Sequence, residues 1–137
     1  MKYTLYIAVL ASILLSSTDS FAQKKKIVSI VIESTDFGTQ TLVAVGCSQF
    51  NKMFAKTINR YKITDNKYLV VFETAAKHFV LPGGAAKIDV RGIITFNYRK
   101  SYVKYCFDRY GLFFGKQKYF KNQQLINLIQ SYQYSKK

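Results

Sequence analysis

Histidine occurs once, at His78, and cysteine twice, at Cys47 and Cys106, with no CxxC-type spacing between them. A zinc site built from soft ligands therefore lacks its donors, and no metal is expected. His78 stands beside Phe79 with no serine or cysteine and third group nearby in sequence to form a nucleophilic team. Beyond residue 22 the carboxylates are equally scarce: Glu33, Asp36, Asp65, Glu73, Asp89 and Asp108. A two-carboxylate hydrolase would have to assemble its pair from distant positions. Gly83 and Gly84 follow Pro82 and lack the spacing and strand-to-helix context of a phosphate loop, so they read as a helix terminator. With proline used once and no repeat or low-complexity stretch, no interdomain linker stands out. No catalytic residue and no cofactor is expected.

What is present begins with the N-terminus. Lys2 supplies a positive start, Leu5 to Leu15 an apolar run of 11 residues, and Ser20-Phe21-Ala22 small residues at the positions a signal peptidase reads. A membrane anchor needs about 20 apolar residues. The run is too short for that, and Ser16 to Ser20, with Asp19, ends it abruptly. Residues 1–22 are read as a cleaved signal peptide and residues 23–137 as a single α+β domain, secreted or periplasmic, with a basic start at Lys24-Lys25-Lys26 and no transmembrane segment in the mature form. Gln23 after the cut is not the cysteine that a lipoprotein needs.

In an oxidising compartment Cys47 and Cys106 are most simply a disulfide, with two free buried thiols as the alternative. Their separation of 59 residues would stabilise the fold by roughly 4 kcal/mol in the loop-entropy model. The chain carries a formal charge of +14, and loss of the signal removes one cation and one anion and leaves that unchanged. Such a balance favours polyanionic or acidic partners, nucleic acid being the less natural one for an exported chain. It also serves simply to keep a small secreted domain in solution.

The apolar periodicities give an α+β architecture: an antiparallel meander of three to five strands with two or three amphipathic helices on one face. Ile27 to Ser34 reads as a strand, Asp36 to Thr39 as a turn, and Thr41 to Val45 as a strand hairpinning back. Ser48 is placed as cap of a short helix carrying Phe50, Met53, Phe54 and Ile58. Asp65 is placed as cap of a helix running to Val80, in competition with a strand over Tyr68 to Phe72. Ile88, Val90, Ile94, Phe96 and Tyr98 alternate with Asp89, Arg91, Thr95 and Asn97 as a half-buried strand, with Gly92 marking a bulge. Tyr102 to Asp108, Leu112 to Phe114 and Tyr119-Phe120 continue the meander. Asn122 then caps a C-terminal helix.

Aromatic and basic residues interleave from Tyr98 to Lys121. Alternation puts Tyr102, Lys104 and Cys106 on one strand face, and the candidate binding surface is Tyr102, Lys104, Arg109, Lys116 and Lys118. The competing reading is that tyrosines are good strand residues and the lysines solvate the sheet. The succession Ile63 to Asp65, Ile88 to Arg91, Tyr105 to Gly111, Gly115-Lys116 and a final Leu-rich helix resembles small signal-peptide-bearing secreted or periplasmic proteins of the Bacteroidota type, whose roles are uncharacterised. The resemblance covers most of the mature chain and implies an exported single domain. It transfers no functional residue. The expected function is an exported small basic binding or structural protein without catalytic activity, contacting an acidic protein or an envelope polyanion. The alternative is a small secreted hydrolase or hydrolase inhibitor, and a third reading is a structural subunit of an envelope assembly.

Overall fold

The computed structural model describes residues 25–136. Val- and Ile-rich IVSIVIES extends as β1 (Ile27–Ser34), and the chain returns to it twice. Strands β2 (Asn59–Ile63), β3 (Gly92–Tyr98), β4 (Tyr102–Phe107), β5 (Leu112–Gly115) and β6 (Lys118–Lys121) complete one antiparallel sheet in the order β2-β1-β3-β4-β5-β6. Three helices accompany it: α1 (Phe50–Met53), α2 (Asn66–Ala76) and α3 (Gln123–Tyr134). The class is α+β as expected, with six strands where three to five were anticipated. The extra one is β2, whose sequence NRYKI has little apolar signal because it is an edge strand with one side open to water.

Period-two alternation gives the sheet two unlike faces. On one, Ile30, Ile32, Ile94, Phe96, Tyr105, Phe107 and Phe113 meet Leu69, Phe72 and Ala75 of α2 and Leu125, Ile126 and Ile129 of α3. On the other, Ile93 and Cys106 are covered by Val45, Phe50, Phe54, Ile88 and Val90. The helices therefore do not share one face: α2 and α3 take the first, and α1 belongs to a cover on the second. Cys47 and Cys106 are bonded, with Cα atoms 5.8 Å apart, and the bond pins this cover to the C-terminal end of β4.

The caps follow the sequence closely. Asp65 accepts from Lys67 N–H at 2.8 Å and Asn122 from Leu125 N–H at 2.8 Å. Ser48 is not a cap. Gln49 takes that position, and its Oε1 accepts from Gly46 N–H at 3.2 Å. The second helix stops at Ala76, short of Val80, because Asn122 Nδ2 donates to the buried carbonyl of Ala75 at 2.8 Å. Val80 then exchanges both backbone bonds with Lys121, at 3.0 and 2.7 Å. Phe79 is drawn into an aromatic group with Tyr105, Phe113 and Phe120.

Thr41 to Val45 is a loop and not a strand, since both sides of β1 are occupied by β2 and β3. Leu42 and Val43 are exposed at its tip. Its base is held by Arg91, which donates from Nε to Thr39 O at 3.1 Å and from a terminal nitrogen to Thr41 Oγ1 at 3.2 Å. Arg91 itself precedes β3 and is 1% exposed, so the alternation that placed it toward water fails there. Gly92 opens the strand without a bulge; the register shift lies in β1, between Ile27 and Ser29. A Cβ on Gly92 would overlap the Phe107 ring and stand 2.7 Å from Glu33 O, so only glycine lets β3 approach so closely. Among the described residues no helix is long and apolar enough to cross a membrane, and residues 1–22, read as a signal, lie outside them.

Candidate binding surface

Strand register sets which polar residues share a row. Lys62, Val31, Thr95 and Lys104 lie opposite one another across β2, β1, β3 and β4 on the same face as Cys106. The next row outward brings Ser29, Asn97 and Tyr102 together, with Asn97 Nδ2 donating to Ser29 Oγ at 3.2 Å. The row inward runs Arg60, Glu33, Ile93, Cys106, Phe114, Tyr119, and from Ile93 onward it belongs to the covered half. This face is therefore divided: a disulfide-tethered cover on one half, and an open half with Lys62, Lys104 and Tyr102, the last 69% exposed. Lys62 and Lys104 are separated by three strand spacings, roughly 14 Å.

The turn of the β5–β6 hairpin lies beside the open half. Phe114 lies opposite Cys106, so the antiparallel β5 carries the following turn back to the level of Lys104. Lys116 and Gln117 form the turn with φ of 51° and 60°, the left-handed geometry of a two-residue hairpin. Gly115 lies against the Tyr105 ring and the Lys104 carbonyl, where a Cβ would come within 2.7 Å of that oxygen. Lys116 thus stands at the hairpin tip beside Lys104, whereas Lys118, opposite Gly115 and alternating with Phe120, lies on the helix-bearing face. Arg109 does not join them: it follows the far end of β4, where it donates to Thr39 O at 3.0 Å and lies 5.8 Å from the Tyr110 ring. Of the five candidate residues, the fold gathers Tyr102, Lys104 and Lys116, turns Lys118 to the other face and places Arg109 beyond the far end of β4.

Of the described carboxylates, Glu33 stands on this face in the row next to Lys62, and the others lie outside the open half. Glu33 pairs with Arg60 at 3.7 Å, Asp36 accepts from Gly38 N–H at 2.8 Å, and Asp65 caps α2. Asp89 grips Arg91 through two N–H···O bonds of 2.7 Å. Burial alone would raise its carboxyl, but the Val45 N–H and the Arg91 charge outweigh that and hold it below the ordinary 3.8. Asp108 is buried and accepts from Tyr110 and Leu112 N–H at 2.8 and 2.9 Å; burial pushes it above 3.8 despite these bonds. Glu73 lines a cleft of about 200 Å³ with Lys77, Tyr98 and Tyr105. Burial, with the Glu73 charge second, raises the Tyr98 phenol; Tyr105 is raised by its burial and then by Tyr98. The open half-face is thus cationic, with Glu33 at its inner edge held by Arg60.

Asp108, Glu73 and His78, the groups a distant-residue hydrolase would need to bring together, stand apart. Asp108 is spent on its turn, Glu73 faces its cleft, and His78 is exposed just beyond α2. Among the described residues no group of three His, Cys, Asp or Glu could hold a metal ion. The residues missed by sequence reasoning are Lys62, Ser29 and Thr95, which join Lys104 only through pairings across the sheet. Compared with protein-family profiles, curated proteins and solved structures, the chain matches none of them.

Proposed function

We propose that the protein is an exported, non-enzymatic binding protein that holds an envelope polyanion on the open half of its sheet. The observation that carries this reading is the row Lys62, Val31, Thr95, Lys104, flanked by Tyr102 and by Lys116 at the hairpin turn, with Glu33 in the next row engaged by Arg60. A flat strand surface with cations roughly 14 Å apart suits an extended chain of repeating anionic groups better than one compact anion. Tyr102, two residues before Lys104 on β4, offers an exposed ring beside them. The Cys47–Cys106 bond supports an oxidising destination, as do the signal-like N-terminus and the resemblance to exported proteins of the Bacteroidota type.

Heparin serves as the polyanion probe. Retention of the purified protein should fall steeply with salt, and the double variant Lys62→Glu/Lys104→Glu should elute at much lower salt than the parent. Lys67→Glu/Lys77→Glu makes the same change in net charge on α2, on the opposite face. Equal losses in the two double variants would show that net charge alone drives retention, and the proposed surface would be wrong.

A further inference from the structure

In a chain with a formal charge of +14, one cavity has no Lys or Arg side chain in its lining. Its volume is about 420 Å³, within the usual range of small-molecule sites. It lies where the end of β1, the turn after it and the start of β2 meet the last turns of α3. That is the helix-bearing face, opposite to the one that carries Lys104, at the end of the sheet where Ser34, Gly92 and Phe107 align.

The floor is preset by its own bonds. Buried Gln133 donates from Nε2 to Ser34 Oγ, Thr35 Oγ1 and Thr57 Oγ1 share a bond of 3.2 Å, and Thr35 N–H is held by Arg91 O at 3.0 Å. Two lining rings are locked by neighbours: Phe37 stacks on Phe107 at 6.1 Å and Tyr61 stands edge-on to Tyr132 at 6.3 Å. Around them are the carboxylate of Asp36, one oxygen of which is fixed by Gly38 N–H, and the amides of Asn59 and Gln130.

This donor set selects a ligand class. One carboxylate without a compensating cation repels anions. A hard metal ion takes six or more oxygen ligands, usually several of them carboxylates, and Asp36 is the only carboxylate in the lining. Amides and hydroxyls both donate and accept, which matches groups that do the same, and rigid ring surfaces match the C–H faces between such groups. We infer that this cavity binds a small neutral polyhydroxylated ligand of the saccharide class. The locked rings and prebonded floor lessen the ordering that binding would otherwise require.

The test is an amide-resolved NMR titration of the purified protein with glucose, N-acetylglucosamine and cellobiose, with glucuronate and spermidine as anionic and cationic probes. The Gly38, Asn59 and Gln130 signals should shift saturably with at least one neutral sugar. Asn59→Ala should weaken that sugar by about tenfold, and Gln130→Ala gives a second reading at a helix position should the first variant fold poorly. Lys104→Glu should leave the sugar affinity unchanged, which separates this site from the polyanion surface. The inference is overturned if no neutral sugar gives saturable shifts at tens of millimolar, if glucuronate or spermidine binds more tightly than every sugar, or if both alanine variants bind as the parent does.

Discussion

Asp89 and Arg91, two residues apart, form a two-bond ion pair in which the arginine is 1% exposed and the carboxylate 40% exposed. The half-wet carboxylate neutralises a guanidinium that is out of reach of water. The same guanidinium reaches Thr39 O, Thr41 Oγ1 and Val90 O, and stands 5.6 Å from the Phe54 ring. It joins the exposed loop, the start of β3 and the cover on the sheet. Asp89→Asn leaves that buried charge unpaired and should destabilise the protein by about 2 kcal/mol, less than for a fully buried pair because water screens Asp89. Urea unfolding at neutral pH measures it, and an unchanged midpoint would contradict the assignment.

The two shifted carboxylates act in opposite senses on acidification. Asp89 lies below 3.8 in the folded protein, so its contribution is present above that value and is lost as pH falls through the depressed range. Asp108 lies above 3.8, so the folded state holds its proton more tightly; the stability this gives at low pH is lost as pH rises from 3.8 through the raised value. On lowering the pH, carboxyl NMR should show Asp108 taking up its proton before Asp89. The difference in stability between parent and Asp89→Asn should shrink below the ordinary carboxylate value. A reversed order of protonation would refute both assignments.

Reduction of Cys47–Cys106 should cost roughly 4 kcal/mol, the chain entropy released by opening a link of 59 residues. The loss should be local before it is global. Amide exchange around Phe50 and Phe54 should quicken under mild reductant while that of Ile30, Ile94 and Ile126 persists. Uniform acceleration across the sheet would mean that the cover is not a separate layer.

Gly92→Ala forces a Cβ into the Phe107 ring and against Glu33 O, in the middle of β1-β3-β4. Neither neighbour yields easily, one being core and the other backbone. A loss of about 2–3 kcal/mol in thermal or urea unfolding is expected, whereas Gly83→Ala, where nothing lies within 4 Å of the added atom, should change little.

Asn122 is 2% exposed and bonds two helices and a turn: Leu125 N–H of α3, Ala75 O of α2 and, through its own N–H, Gly111 O before β5. Asn122→Ala should lose about 2–3 kcal/mol, from the missing cap and an orphaned carbonyl together. Asn122→Asp keeps the cap acceptor but turns a carboxylate oxygen toward Ala75 O. It should recover α3 and not the joint to α2, so the two variants should differ by circular dichroism more than by melting temperature.

The elements legible in the sequence are those whose signals are local. The Val and Ile alternation of β1, the Asp65 and Asn122 caps, the Lys116-Gln117 turn and the two faces of β4 all depend on neighbours within a few residues. β2 stayed hidden because an edge strand with one wet side has no need of the apolar pattern that marks a central one. Thr41 to Val45 has strand composition, but composition does not reveal that both sides of β1 are taken. Arg91 looked like a solvent-facing residue because alternation reports direction and not what covers the sheet in that direction. The candidate surface was half legible for the same reason: Tyr102 and Lys104 follow from alternation within β4, whereas Lys62 arrives through β1 and β3, and Arg109 is lost around a turn.

Sheet order also bears on the sequence of assembly. Strands β3 to β6 are successive neighbours joined by tight turns, so they can pair soon after they are made. β1 must wait: both its partners come later in the chain, and setting Ile30 opposite Phe96 closes a long loop whose entropy must be met first. Docking of β1 then becomes the step that joins the meander to β2 and completes the ledge on which α2 and α3 rest. Pulse-labelled exchange during refolding should protect Ile94 and Phe107 before Ile30, making the strand that leads in sequence the one that closes the structure.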